Sequence, residues 1–111
     1  MFSYNLQNEN EKNFVLSLIH NLQLCKIKLN LLNEAIKYCK SGYKFDKTDI
    51  KSVYRLAFCN YQLNKINDSK YWIEIGINLD PKDIQIIELN EKIKEKYDFE
   101  TQQLLKDLLN N

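Results

Sequence analysis

Only two glycines, one proline and one histidine occur in 111 residues, and of the 16 basic side chains a single one, Arg55, is an arginine. The scarcity of Gly and Pro, in a chain rich in Lys, Asn and Ile, reads as the codon bias of an AT-rich genome and carries no functional content. Other absences exclude more. Net charge is nearly missing, since the 16 basic residues face 15 acidic ones. The broad electropositive field of a nucleic-acid or acidic-membrane binder is therefore not there, and any anion recognition has to be local. No apolar run approaches the length needed to cross a bilayer, and the start, MFSYNLQNENEK, lacks the basic-then-apolar order of a signal peptide. The expectation is a soluble, cytoplasmic protein with neither nucleic acid nor membrane as partner.

Cys25, Cys39 and Cys59 are odd in number and never form C-x-x-C, and with one His a four-ligand zinc site is hard to assemble. Three buried thiols in a reducing compartment are expected instead. A Gly-rich phosphate loop, a metal-ligand cluster and a Ser-His-Asp order are all missing, and His20 has no carboxylate or nucleophile near it in sequence. No cofactor, metal or enzymatic activity is expected. The length suits one modest domain with one core.

What is present is a repeat. Laying residues 16–49 over 50–83 matches Leu22 with Leu56, Cys25 with Cys59, Leu29 with Leu63, Asn30 with Asn64, Asn33 with Asn67, Gly42 with Gly76, Asp46 with Asp80 and Asp49 with Asp83. The offset between those two blocks is the period of the tetratricopeptide repeat, a helix-turn-helix unit. The second copy resembles that family's pattern closely: Val53 and Leu56-Ala57 on the first helix, Ser69 and Ile73 on the second, Leu79-Asp80-Pro81 at the close. The first copy departs at Gln23, where a small residue is expected, and at Lys47 in place of Pro.

The reading is all-α: antiparallel helix hairpins stacked as a short solenoid in one domain. Residues 1–15 are the tail of an incomplete first repeat, 16–49 and 50–83 are two repeats, and 84–111 form a long capping helix. Helices are predicted near 10–30, 33–45, 49–64, 67–79 and 82–108. Asn33 and Asn67 are placed to cap the second helices, and Asp80 to cap the last one with Pro81 in its first turn. Gly42 and Gly76, inside helices, point to close approach of a neighbouring helix. The capping helix carries Ile86, Leu89, Ile93 and Tyr97 on one stripe, then Leu104, Leu105 and Leu108 in a solvated extension. The first helix, with Leu16, Ile19 and Leu22, lacks a preceding neighbour; Phe2, Tyr4 and Leu6 fold back over it, or a homodimer covers this uncapped N-terminal end.

Lys51 and Arg55, at i and i+4, share a helix face and repel by about 0.2–0.5 kcal/mol. In tetratricopeptide domains the first helices of successive repeats line a concave groove, and the copies differ most there: Ser17 against Lys51, His20 against Tyr54, Asn21 against Arg55, Leu24 against Phe58. An ammonium, a guanidinium fork and an amide are the donor types that hold a carboxylate.

The stretch NLQLCKIKLNLLNEAI, from Asn21 to Ile36, together with KSVYRLAFCNYQL resembles the tetratricopeptide domains of immunophilin-type co-chaperones, the large FK506-binding proteins and the 40-kDa cyclophilin. The resemblance runs from about residue 10 through the terminal helix. It implies a dicarboxylate clamp for the acidic C-terminal tail of a heat-shock chaperone, with Asn21, Lys51 and Arg55 at three of five clamp positions and Lys28 at a basic position common in the family. The remaining Lys and Asn belong to a first repeat that this sequence does not contain. The rival readings are a generic scaffold that takes an internal helical or extended peptide on Leu24, Tyr54 and Phe58, and a fragment of a peptidyl-prolyl isomerase whose catalytic domain is absent.

Overall fold

The computed structural model describes residues 8–110, and all of its regular structure there is helical: α1 (Glu9–Lys28), α2 (Leu32–Phe45), α3 (Ile50–Gln62), α4 (Ile66–Leu79) and α5 (Ile84–Leu109). The sequence period survives folding. In the register that lays 16–49 over 50–83, α2 and α4 start at the same position, and α1 and α3 end at the same position; carried one repeat further, it brings the start of α3 onto the start of α5. Each helix packs against the next in sequence, while α3 also touches α1 and α5, so the hairpins stack as in a tetratricopeptide solenoid.

The matched asparagines explain the tight turns. Asn30 and Asn64 sit in the left-handed region at φ 58° and 62°. At each, the residue beyond donates back over a full helical turn, Leu31 N to Lys26 O and Lys65 N to Asn60 O, both at 2.8 Å. The backbone amide of the Asn itself donates to Ile27 O at 2.9 Å or Tyr61 O at 3.0 Å. This paired closure satisfies the last carbonyls of α1 and α3, and asparagine tolerates the left-handed turn better than most residues.

Because the next helix starts at once, its cap position falls on Leu31 or Lys65, neither of which bonds a first-turn amide through its side chain. Asn33 and Asn67 lie inside the first turns and do not cap, contrary to expectation. Nor does Asp80 cap α5. Its carboxylate accepts from Lys82 N at 3.1 Å in a turn, as that of the equivalent Asp46 does from Thr48 N at 2.9 Å, and it is Asp83 that caps α5 by accepting from Ile86 N at 3.0 Å. The Thr48 hydroxyl and amide hold the Asp46 carboxyl below the usual carboxylate range.

Ala57, Ile66, Ile73, Ile86, Leu89 and Ile93 form the buried cluster, with Tyr54, Phe58, Trp72 and Tyr97 packed against it. The core therefore sits among α3, α4 and α5. By contrast the single buried side chain of α1 is Gln23. Leu22 is 44% exposed where its repeat equivalent Leu56 is fully buried, because nothing among the described residues covers the outer side of α1. The same cause corrects the cysteines: Cys39 and Cys59 are buried as expected, but Cys25 is exposed. Burial pushes the Cys59 thiol up to about 11 and the Cys39 thiol higher still. Phe2, Tyr4 and Leu6, expected over α1, lie outside the described residues. At the other end Leu104, Leu105 and Leu108 are exposed, as a solvated extension of α5 requires.

Candidate functional site

A groove of about 390 Å³ runs along α3, walled by Leu24 and Ile27 of α1, Ile50, Lys51, Tyr54, Arg55 and Phe58 of α3, and Asp83 and Gln85 at the start of α5. Helical spacing builds it: Lys51, Tyr54, Arg55 and Phe58 recur at three and four positions along the chain and so share one face of α3. Five of the seven candidate residues come together there: Lys51, Arg55, Leu24, Tyr54 and Phe58. Asn21 and Lys28 do not line it, although they share the α1 face that carries Leu24, one turn to either side. Asp83 and Gln85 were not expected in the groove. They belong to the start of α5, and only the repeat register that sets α5 beside α3 as another first helix signals their approach.

The floor is aromatic. The Tyr54 and Phe58 rings lie nearly parallel, 21° apart with centroids 6.3 Å distant. Burial, with Glu88 and Asp83 adding to it, raises the Tyr54 phenol, so it remains a neutral donor. Both signs of charge line the groove: Lys51 and Arg55 come from α3, with Arg55 tied to α1 through the His20 carbonyl and Gln23, and Asp83 stands at the start of α5. A ligand with an anionic group and an apolar body meets complementary groups there.

Behind Arg55 lies a network that sequence reasoning missed. One guanidinium nitrogen, Nη1, donates to the His20 carbonyl at 3.2 Å and to Gln23 Oε1 at 3.0 Å. Gln23 Nε2 in turn donates to Ser52 Oγ at 2.8 Å and to the Tyr38 carbonyl at 3.2 Å. Ser52 donates to the Asp49 carboxylate in a short hydrogen bond, and Asp49 also receives His20 Nε2 at 2.9–3.0 Å. Gln23 and Ser52 are fully buried, and Asp49 is nearly so.

Gly42 makes room for this set. A Cβ there would collide with Ser52 Oγ and Gln23 Nε2. The departure at Gln23 thus has a structural meaning: where the second repeat places Ala57, the first places the hub of a polar cluster. His20, Asp49 and Ser52 do not make a nucleophilic triad. Ser52 and His20 both face the carboxylate, so the hydroxyl has no imidazole to take its proton.

No protein-family model matches the chain, and no curated protein matches it. Among solved structures 14 chains match. One is the Hsp90 co-chaperone Cns1 from Saccharomyces cerevisiae (delta69), with a TM-score of 0.80 at 20% sequence identity over 96% of this chain and 33% of that one. This chain therefore spans about a third of its length, and at such identity the likeness is one of fold. The matched structure bears a co-chaperone's name and not an immunophilin's. The expected architecture of stacked helix hairpins is thereby met twice, in the chain's own packing and in its superposition on a co-chaperone.

Proposed function

We propose that this chain is a protein-interaction module of a co-chaperone, and that its α1/α3 groove binds the acidic C-terminal tail of a heat-shock chaperone through a partial dicarboxylate clamp. One observation carries the reading: the chain's only arginine and Lys51 line the same groove as Leu24, Tyr54 and Phe58, on a fold shared with an Hsp90 co-chaperone. Asn21 and Lys28 extend the site along α1. On this reading the module is cytoplasmic, is not an enzyme and needs no cofactor. Residues 9–15 open α1, and on this reading the exposed α1 face is covered by a second copy in a homodimer. An immunophilin-type domain is the finer form of the proposal, and a fragment of a peptidyl-prolyl isomerase is an alternative to it.

The test is a peptide ending in Glu-Glu-Val-Asp, as free acid and as terminal amide, measured by fluorescence anisotropy at low salt, where charge attraction is least screened. The free acid is expected to bind more tightly. Arg55→Ala and Lys51→Ala each weaken binding, by up to about 1.5–3 kcal/mol for a lost charge-assisted hydrogen bond. Arg55→Lys fails to restore it, because an ammonium lacks the planar fork. The apolar lining favours a second reading, an internal helical or extended peptide held on Leu24, Tyr54 and Phe58. If acid and amide bind alike and Arg55→Ala changes nothing, that reading replaces the first.

A further inference from the structure

The layer between α1 and α3 is built of polar groups where the equivalent layer between α3 and α5 is apolar. In the register that pairs Leu22 with Leu56, the residues Gln23, Ser52 and Arg55 correspond to Ala57, Ile86 and Leu89, all buried members of the hydrophobic cluster. Asp49 corresponds to Asp83, yet only Asp83 caps its helix. The Asp49 carboxylate forgoes the first-turn amides of α3 and turns to His20 and Ser52 instead. A layer that gives up both a helix cap and an apolar contact is explained by what it holds. What it holds is Arg55, by one nitrogen.

We infer that Gln23, Ser52, Asp49 and His20 are a positioning set for Arg55, which fixes the guanidinium by Nη1 and leaves its Nε–Nη2 edge as a preformed fork for a carboxylate. The two Nη1 hydrogens are satisfied by His20 O and Gln23 Oε1, whereas Nε and Nη2 have no protein partner among the described residues. Those remaining N–H groups lie parallel on one edge and match the two oxygens of a carboxylate. Holding the side chain in advance removes the ordering cost from binding. The inference deepens the proposed function and rests on its placing Arg55 in the ligand site, but the positioning itself can be tested without any ligand.

Because Arg55 is the only arginine, its guanidinium signals in a ¹⁵N-labelled sample are unambiguous. In the wild type, hindered rotation should keep the Nη1 and Nη2 resonances separate on cooling. Gln23→Met, which keeps the length of the side chain without its amide, and Ser52→Ala, which deprives Gln23 of an acceptor, should merge them. The same variants should lower the ratio of free-acid to amide peptide affinity by roughly two- to tenfold, the cost of ordering one long side chain. Thermal midpoints recorded alongside show that the variants are folded. A freely rotating guanidinium in the wild type, or one still hindered in both variants, would overturn the inference. If the wild type shows hindered rotation but does not distinguish acid from amide, the positioning stands and the proposed chaperone-tail ligand falls.

Discussion

At the scale of single residues, the two glycines occupy the same repeat position and meet different neighbours. A Cβ on Gly76 would press on Ile86 Cδ1 at 2.7 Å, the far end of a flexible side chain that can rotate away. A Cβ on Gly42 would strike Ser52 Oγ and Gln23 Nε2, with Asp49 Oδ2 at 3.2 Å, and these atoms are tied to one another by hydrogen bonds. In both cases alanine improves helix propensity by about 1 kcal/mol. For Gly76→Ala that gain offsets the repacking, and the expected change in stability is near zero. For Gly42→Ala the buried network has to break or shift, and overpacking of this kind costs about 1–3 kcal/mol. Denaturant unfolding of the two variants measures the difference, and equal midpoints would mean that the network yields as easily as a methyl group.

At the scale of elements, the turns after α1 and α3 depend on one asparagine each. Replacing Asn30 or Asn64 by alanine should cost about 1–2 kcal/mol, the penalty of a Cβ-bearing residue in the left-handed region, while glycine at either position should be tolerated. Thermal melts of the Ala and Gly variants check this, and an Ala variant as stable as wild type would show that the turn has another solution.

The same asparagines show how far the sequence can be read. Asn30 and Asn64 match across the period as plainly as Asn33 and Asn67 do, and both pairs are helix-terminus residues by type. Type alone does not say which of them ends one helix and which starts the next. The period itself was legible because packing of repeated hairpins demands the same apolar spacing twice. The groove was legible in part for the same reason, since Lys51, Tyr54, Arg55 and Phe58 share one helix face whatever lies around them. The Gln23 network was not legible. Its partners Tyr38, Ser52 and Arg55 are remote from Gln23 along the chain, and only folding brings them together. What the sequence did offer was an anomaly, a glutamine at a small-residue position, whose meaning depends on the room left by Gly42.

At the scale of the molecule, the two ends of the stack are unequal. The principal extents are 60 × 29 × 23 Å, and the distal leucines of α5 are exposed. That end carries Glu100, Lys106 and Asp107 among its leucines and is well solvated. The α1 end is different. Phe14, Leu18 and Leu22 are 65%, 50% and 44% exposed, and their i, i+4, i+8 spacing sets them on one side of α1. The packing that buries Leu56 on α3 is missing for Leu22 on α1, so this side is the face on which a preceding hairpin would stack. The proposed homodimer covers it with a second α1. Burying such a stripe is favourable at about 25 cal/mol per Å² of apolar surface, but an interface confined to one helix face falls toward the lower end of specific interface sizes, so the association should be weak and concentration-dependent. Sedimentation equilibrium over a wide range of protein concentration is the measurement. Leu18→Glu should shift the equilibrium to monomer without lowering the melting temperature of the monomer, because Leu18 is exposed within one chain. Leu105→Glu, on the distal part of α5, should leave it unchanged. A wild-type protein that stays monomeric at the highest concentrations, or a dimer broken by Leu105→Glu and not by Leu18→Glu, would remove the α1 face from the proposal.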